Sequence, residues 1–262
     1  MALTIATWNI NSVRLREGLV AAFLEREAPD VLCLQETKTP VEKFPRERFD
    51  ALGYRHLVVR GDKGYNGVAI LARVPVEAEA HVDFCARGDA RHVAARLPGG
   101  AVVHNFYVPA GGDEPDPQAN PKFAHKLAFV DEMAHWGAAL DGPAILVGDL
   151  NIAPLEEDVW SHRQLLKVVS HTPVEVERLA RVQQAGAWRD VTRAHIPPPE
   201  RIYSWWSYRA QDWAAGDRGR RLDHIWARGG VRDVPASSRV LRDWRGAEKP
   251  SDHVPVMASF DL

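Results

Sequence analysis

Ala144-Ile145-Leu146-Val147-Gly148-Asp149-Leu150-Asn151 is an apolar run of four that passes through a glycine into a carboxylate and an amide. Gly142-Pro143 precedes it. A short apolar run bounded by turn residues reads as a buried strand, and its polar end then lies where the strand meets a loop. The same pattern recurs on both sides. Residues 3–8 run into Asn9-Ile10-Asn11, and 30–35 end in Gln35-Glu36-Thr37-Lys38. Residues 93–97 and 101–108 suggest a hairpin around Pro98-Gly99-Gly100, ending at Asn105-Phe106-Tyr107-Val108. Leu222-Asp223-His224 opens one later strand, 222–227, and Ser251-Asp252-His253 precedes the last, 254–260. A further strand is predicted over 67–73.

Helical spacing of apolar residues appears between some of these runs. It predicts helices over 14–27 and 121–140, and weaker ones over 155–160 and 173–184. Strands and helices mixed without strict alternation predict an α/β (α+β) fold with much antiparallel sheet. The Pro/Gly-rich breaks at 111–120 and 196–200 are too short for linkers. Residues 1–262 are therefore expected to form a single domain.

The 262 residues are 45% hydrophobic and 26% charged, the balance of an ordinary globular chain. No uncharged apolar run reaches the eighteen or so residues of a membrane span, and no secretory signal is visible at the start. Cys33 and Cys85 are too few for a disulfide framework, so a cytoplasmic protein is expected. The formal net charge of −2 gives no general attraction for nucleic acid, so any such partner would need a local basic rim.

If the polar strand ends converge, they build a pocket on a rigid sheet. Glu36, Asp149 and Asp252 offer hard oxygen ligands, which suit Mg²⁺ and phosphate chemistry; the zinc spacing of Cys and His is absent. Asn9, Asn151, Tyr107 and His253 are donors for the charge that develops on phosphoryl oxygens. Taken singly, each motif has a plainer reading: an Asx-turn at Asp149, a cap at Asp252, a surface carboxylate at Glu36, a packed ring at Tyr107. Their joint appearance in one chain gives them weight.

Together with Arg14, Tyr65-Asn66-Gly67, Tyr203-Ser204-Trp205-Trp206, Arg221-Leu222-Asp223-His224 and Lys249-Pro250-Ser251-Asp252-His253, these motifs resemble, in order, those of the exonuclease III family. That family lies within the endonuclease/exonuclease/phosphatase superfamily. The resemblance implies a four-layered sandwich of two packed mixed β-sheets flanked by helices. It implies a Mg²⁺-dependent DNA phosphodiesterase, with Mn²⁺ as a substitute. Its partner would be double-stranded DNA with abasic sites or 3′ ends, and the protein a monomer. By resemblance, Tyr107, Asp149, Asn151, Asp223 and His253 are the catalytic set. Asn9, Glu36, Asp149, Asn151, Asp252 and His253 face the metal, with Glu36 the principal ligand. Asp149 handles the attacking water or protonates the leaving oxygen, and Asp223 holds the His253 imidazole. Asn11, Arg14, Lys38, Trp205, Trp206, Arg209 and Arg221 are the expected DNA contacts; Arg218, Arg220, Arg239, Arg242 and Arg245 extend the basic rim. Ser207 stands where an acidic residue is common in the family. The rivals are an enzyme of the same fold acting on a small or lipid-borne phosphate ester, and a binding protein that has lost the chemistry.

Overall fold

Two β-sheets face each other, and each is built around a parallel pair of strands. The computed structural model describes residues 2–210 and 212–262; Met1 and Gln211 lie outside the described residues. In the first sheet β1 (Ala2–Asn9) and β2 (Val31–Gln35) run parallel, with helix α1 (Glu17–Glu27) between them in sequence. Antiparallel neighbours extend this pair on one side as β4 (Val68–Ala72) and β3 (His56–Arg60). On the other side lies the C-terminal strand β15 (Val256–Asp261), with the short β13 (Arg232–Asp233) and β14 (Arg239–Val240) along it.

The second sheet repeats the scheme. Here β7 (Val102–Tyr107) and β8 (Ala144–Asp149) run parallel around helix α3 (Pro121–Ala139). Antiparallel to them are β6 (His92–Arg96) with β5 (Glu77–Glu79), and β12 (Asp223–Arg228) with β9 (Arg189–Asp190). A separate ribbon pairs β10 (Trp205–Trp206) with β11 (Gly219–Arg220). The remaining helices are α2 (Arg46–Asp50), α4 (His162–Leu165), α5 (Pro173–Ala185), α6 (Val191–His195) and α7 (Trp213–Gly216).

Strand alternation sorts the apolar side chains into layers. Ile5, Cys33, Ile70, Val103, Val147, Ile225 and Val256 point between the sheets. Trp8, Leu32 and Leu34 pack outward against Val20, Phe23 and Leu24 of α1. Phe106, Leu146 and Trp226 pack outward against Phe129 and Met133 of α3 and Leu179 and Val182 of α5. The result is the four-layered sandwich that the resemblance implies.

Two predicted helices are shortened. The segment 155–160 keeps only a single 3-10 turn, Glu156–Asp158, because the buried Asp158 carboxylate accepts from Leu155 N and from Arg193. The first helix begins at Glu17, because Arg16 turns back to the Ile10 and Asn11 carbonyls. Strands β3 and β5 went unpredicted; both are edge strands with no fully buried residue.

A polar clasp crosses the otherwise apolar gap between the sheets. Asn105 Nδ2 donates to the carbonyls of Leu34 and Ala69, both at 2.9 Å, and its Oδ1 accepts from Gln35 Nε2 at 2.6 Å. Gln35 Nε2 also reaches Thr7 Oγ1 at 2.9 Å. All three side chains are fully buried. Truncating Asn105 strands several buried polar atoms at once. Asn105→Ala is expected to lose about 3 kcal/mol of unfolding free energy in urea titration; a loss under about 1 kcal/mol would remove the clasp from the account of stability.

Beneath α3, His92 and His104 stack at 5.4 Å and share one hydrogen bond. Burial drives both below the ordinary histidine range, His104 to about 3. Above pH ~6.5 neither folded nor unfolded chain holds the extra proton, so the pair costs nothing. Below it the unfolded chain binds protons that the fold refuses, and stability falls by about 1.4 kcal/mol per pH unit for each ring. Unfolding free energy should therefore drop between pH 6.5 and 4.5, and His104→Gln should flatten the slope. An unchanged slope would mean the rings are protonated in the fold.

Candidate active site

The parallel pairings bring four strand ends to one edge. Asn9 lies opposite Gln35, and Tyr107 opposite Asp149. The antiparallel partners begin at that same edge: Asp223 pairs with Asp149, and the segment carrying Asp252 and His253 leads into β15. Ser251 Oγ ties this segment to the Asn9 carbonyl at 2.7 Å, and Trp8 Nε1 holds the His253 carbonyl at 2.9 Å.

Asn9 Nδ2 bridges the two sheets, donating to Glu36 Oε1 at 2.9 Å and to Asp149 Oδ2 at 2.8 Å. Asp149 also accepts from Asn151, at Oδ1 from the backbone N–H and at Oδ2 from Nδ2, at 2.9 and 3.0 Å. His253 lies between two carboxylates. Its Nδ1 is 2.8 Å from Asp223 Oδ2, and its Nε2 is 3.7 Å from Asp149 Oδ2. Lys38 Nζ contacts Glu36 Oε2 at 2.7 Å and Asn11 Oδ1 at 2.6 Å. Asp252 accepts from Asn11 Nδ2 at 3.1 Å and from Trp205 Nε1 at 3.0 Å.

Charge follows from these partners. Burial opposes ionisation of Glu36, but Lys38 and the Asn9 amide outweigh it and hold the carboxyl below its usual range. His253 and the donors from Asn11 and Trp205 likewise overcome burial at Asp252 and lower it. Burial dominates at Asp149 and pushes it up despite His253. Burial would lower His253, but Asp223 and Asp149 prevail and raise it, so the ring is an imidazolium at neutral pH. Burial, then Glu36 and Asp149, raises Tyr107 far up, so its phenol stays a donor. Donor atoms of Asp149, Asp223 and His253 lie within 4.8 Å of one another, close enough to share a cation. The His253 proton already supplies positive charge there, which leaves Glu36 and Asp252 as the carboxylates that open to the pocket.

The backbone around the site is bent into the left-handed region at Asn11, Glu36, Lys38, Asn66 and Asn151, with φ from 47° to 54°. Such conformations cost energy in non-glycine residues and persist only where the surroundings impose them. Gly67 has φ +94°, and a Cβ there would meet Thr37 Oγ1 at 2.1 Å, so the turn beside Glu36 requires glycine.

A pocket of about 620 Å³ opens over Glu36, Asn151, Asp252 and His253. Trp160, Trp205 and Leu222 supply apolar lining, and Arg209, Arg218 and Arg220 line it too. Arg218 stacks on Trp160 at 4.8 Å and Arg220 on Trp205 at 5.1 Å.

A model of the Endonuclease/Exonuclease/phosphatase family matches residues 6–253. The exodeoxyribonuclease III of Haemophilus influenzae is 31% identical over 268 residues, covering 97% of this chain and 98% of that protein. An AP endonuclease from Archaeoglobus fulgidus superimposes with a TM-score of 0.91 at 34% identity, over 99% of this chain and 100% of that one. A Neisseria 3′ phosphatase bound to a product DNA hairpin gives 0.88 at 30% identity, with the same coverage.

The structure brings together every residue expected in the catalytic and metal sets. The expected DNA contacts divide. Arg14 is exposed, Arg209 and Trp205 line the pocket, and Asn11 and Lys38 join the polar network. Trp206 is 1% exposed and packs against Tyr203 and Trp213, so it is core rather than surface. Arg221 is also 1% exposed; it is paired with Asp158 at 3.1 Å and with Asp190, so it reaches no ligand. Arg245 is buried against the Trp206 carbonyl, Arg242 pairs with Asp217, and Arg239 reaches Glu27. Three residues near the site escaped the sequence analysis: Trp160, Ser170, and Arg91, whose guanidinium covers the Tyr107 ring at 4.8 Å. Arg221→Ala removes a guanidinium from two carboxylates, leaving Asp158 with Arg193 and Asp190 with the Arg193 amide. It should cost about 3–5 kcal/mol in denaturant unfolding, the cost of breaking a buried pair. Wild-type stability in that variant would return Arg221 to the list of ligand contacts.

Proposed function

The chain belongs to the Endonuclease/Exonuclease/phosphatase family of hydrolytic enzymes, and from that membership we propose that it is a DNA-repair phosphodiesterase. It would incise the backbone 5′ to abasic sites, remove 3′-blocking groups and digest 3′ ends of duplex DNA, with Mg²⁺ as its metal. The catalytic unit is a single domain, 1–262, acting as a cytoplasmic monomer.

The aromatic-walled, arginine-lined pocket over the buried acids carries this reading. An abasic nucleotide has no base pair to lose, so it is extruded at lower cost than a normal one, and its bare sugar suits a slot lined by Trp205, Leu222 and Trp160. The arginines match flanking phosphates. A small, freely diffusing phosphate ester would have no use for such an extended wall.

The donor set fits a hard divalent cation. Glu36 is held ionised at the pocket, and Lys38 rests against it on a partly exposed, flexible stem that can move aside. Glu36, with Asp252 and Asn9, would hold the ion, which supplies positive charge to the phosphoryl oxygens. Asp149 is poised for proton transfer, because burial raises its affinity for a proton while Asn9 and Asn151 fix its orientation. His253 stays charged between Asp223 and Asp149 and offers Nε2–H to a phosphoryl oxygen. Tyr107 donates to the same group, whereas the two Asn151 Nδ2 hydrogens, expected there, go to Asp149 Oδ2 and the Val108 carbonyl. Water attacks phosphorus in line as its proton passes to the ionised Asp149 carboxylate, the bond from phosphorus to the leaving oxygen breaks, and that oxygen takes up a proton from solvent.

Two labelled duplexes, one with a central abasic-site analogue and one intact and blunt-ended, test the proposal. Lesion incision should require Mg²⁺, stop in EDTA and fall about 100- to 10,000-fold in Asp149→Asn. Shortening of the intact duplex measures the accompanying exonuclease. Full cleavage by Asp149→Asn would remove Asp149 from the mechanism, and no cleavage of either duplex by folded protein would end the DNA assignment.

A further inference from the structure

Lys126 and Glu175 form an ion pair with no solvent exposure on either side chain, behind one wall of the pocket. Lys126 Nζ has three partners: Glu175 Oε1 at 2.5 Å, the Asn151 carbonyl at 2.7 Å and the Ala110 carbonyl at 3.3 Å. Glu175 is equally engaged. Its carboxylate accepts from Ser170 N at 3.0 Å, from Thr172 N at 3.1 Å and from Thr172 Oγ1 at 2.7 Å. One ammonium and one carboxylate thus tie together three separate loops. Ala110 and Gly112, Asn151, and Val168 to Ser170 from those loops all line the pocket.

A buried ion pair is a poor source of stability, since desolvation offsets most of its attraction. It is an accurate positioning device, because each partner accepts only one arrangement of dipoles. The loops it holds need such a device. Asn151 has φ 54° and Ser170 φ 90°, conformations that neither residue favours by itself. Lys126 grips the carbonyl of Asn151, and Glu175 the amide of Ser170. Arg220 adds a second tie on the far side of that loop, donating to the Val169 carbonyl and to Ser170 Oγ.

We infer that Lys126, through its pair with Glu175, is a positioning residue for the reaction: it sets Asn151 and the 168–170 wall at their distance from the scissile phosphate. This rests on the DNA phosphodiesterase reading above. A shift of the order of 1 Å at such a group costs about 100-fold in rate, so the pair should matter far more to turnover than to folding.

The double variant Lys126→Met/Glu175→Gln removes both charges, so neither is left buried alone. Its melting temperature should stay within about 5 °C of wild type. At a temperature where it is fully folded, kcat on the abasic duplex should fall about 10- to 100-fold, with KM changed less than about threefold. Amide hydrogen exchange should quicken in 150–153 and 168–172 and stay slow in the two sheets. Unchanged kcat, or unchanged exchange in those loops, overturns the inference. If the double variant does not fold, Glu175→Asp alone serves; it keeps a carboxylate beside Lys126 but shortens the reach to Ser170 and Thr172, and the expected loss of kcat is about three- to tenfold. If wild type cleaves no DNA, the proposed function fails instead, and the exchange arm still decides whether the pair positions these loops.

Discussion

The Asn105 side chain is the constraint on which the site depends. It reaches from the second sheet to two carbonyls of the first and to Gln35, the residue before Glu36. Apolar side chains between packed sheets fix a spacing but permit sliding, whereas hydrogen bonds with defined donors and acceptors fix a register. With the register set, Asn9 at the end of β1 meets both Glu36 on its own sheet and Asp149 on the other. Without it the carboxylates would belong to two separate surfaces.

Given that alignment, electrostatics divides the labour among similar groups. Glu36, Asp149, Asp223 and Asp252 are all carboxyls within one small volume. Glu36 and Asp252 have cationic neighbours and amide donors enough to remain charged, while Asp149 is buried deeply enough to hold a proton more readily. Asp223 serves the imidazolium. The sheets place the groups; burial and neighbours give them different chemical roles.

Much of this was legible in the sequence because strand ends carry a local signature: polar residues directly after or directly before an apolar run. Asn9, Glu36, Tyr107, Asp149, Asn151, Asp223, Asp252 and His253 all had it, and they converge. What was not legible was set by distant partners. Arg221 has the neighbours of a rim arginine, and only the approach of Asp158 and Asp190 buries it. Trp205 and Trp206 are consecutive on a strand, so they face opposite sides, and the dipeptide does not say which side is core. Lys126 looks like a polar helix residue. Yet it lies three after Phe123 and four before Val130, both buried, so its position on the apolar stripe was a usable signal.

The pairing of β1 with β15, which sets Ala2 against Asp261, joins strands far apart in sequence and so bears on the order of folding. During folding β1 waits for a partner from the far end of the described residues. Contacts of such long sequence separation form late and slowly. Asn9 and Glu36 precede most of the second sheet in sequence and His253 follows it, so a partly folded chain without β15 in place has half a catalytic centre and no complete first sheet. The site is therefore complete only once β15 has docked, and until then the exposed edge of β1 is a hazard for misassembly.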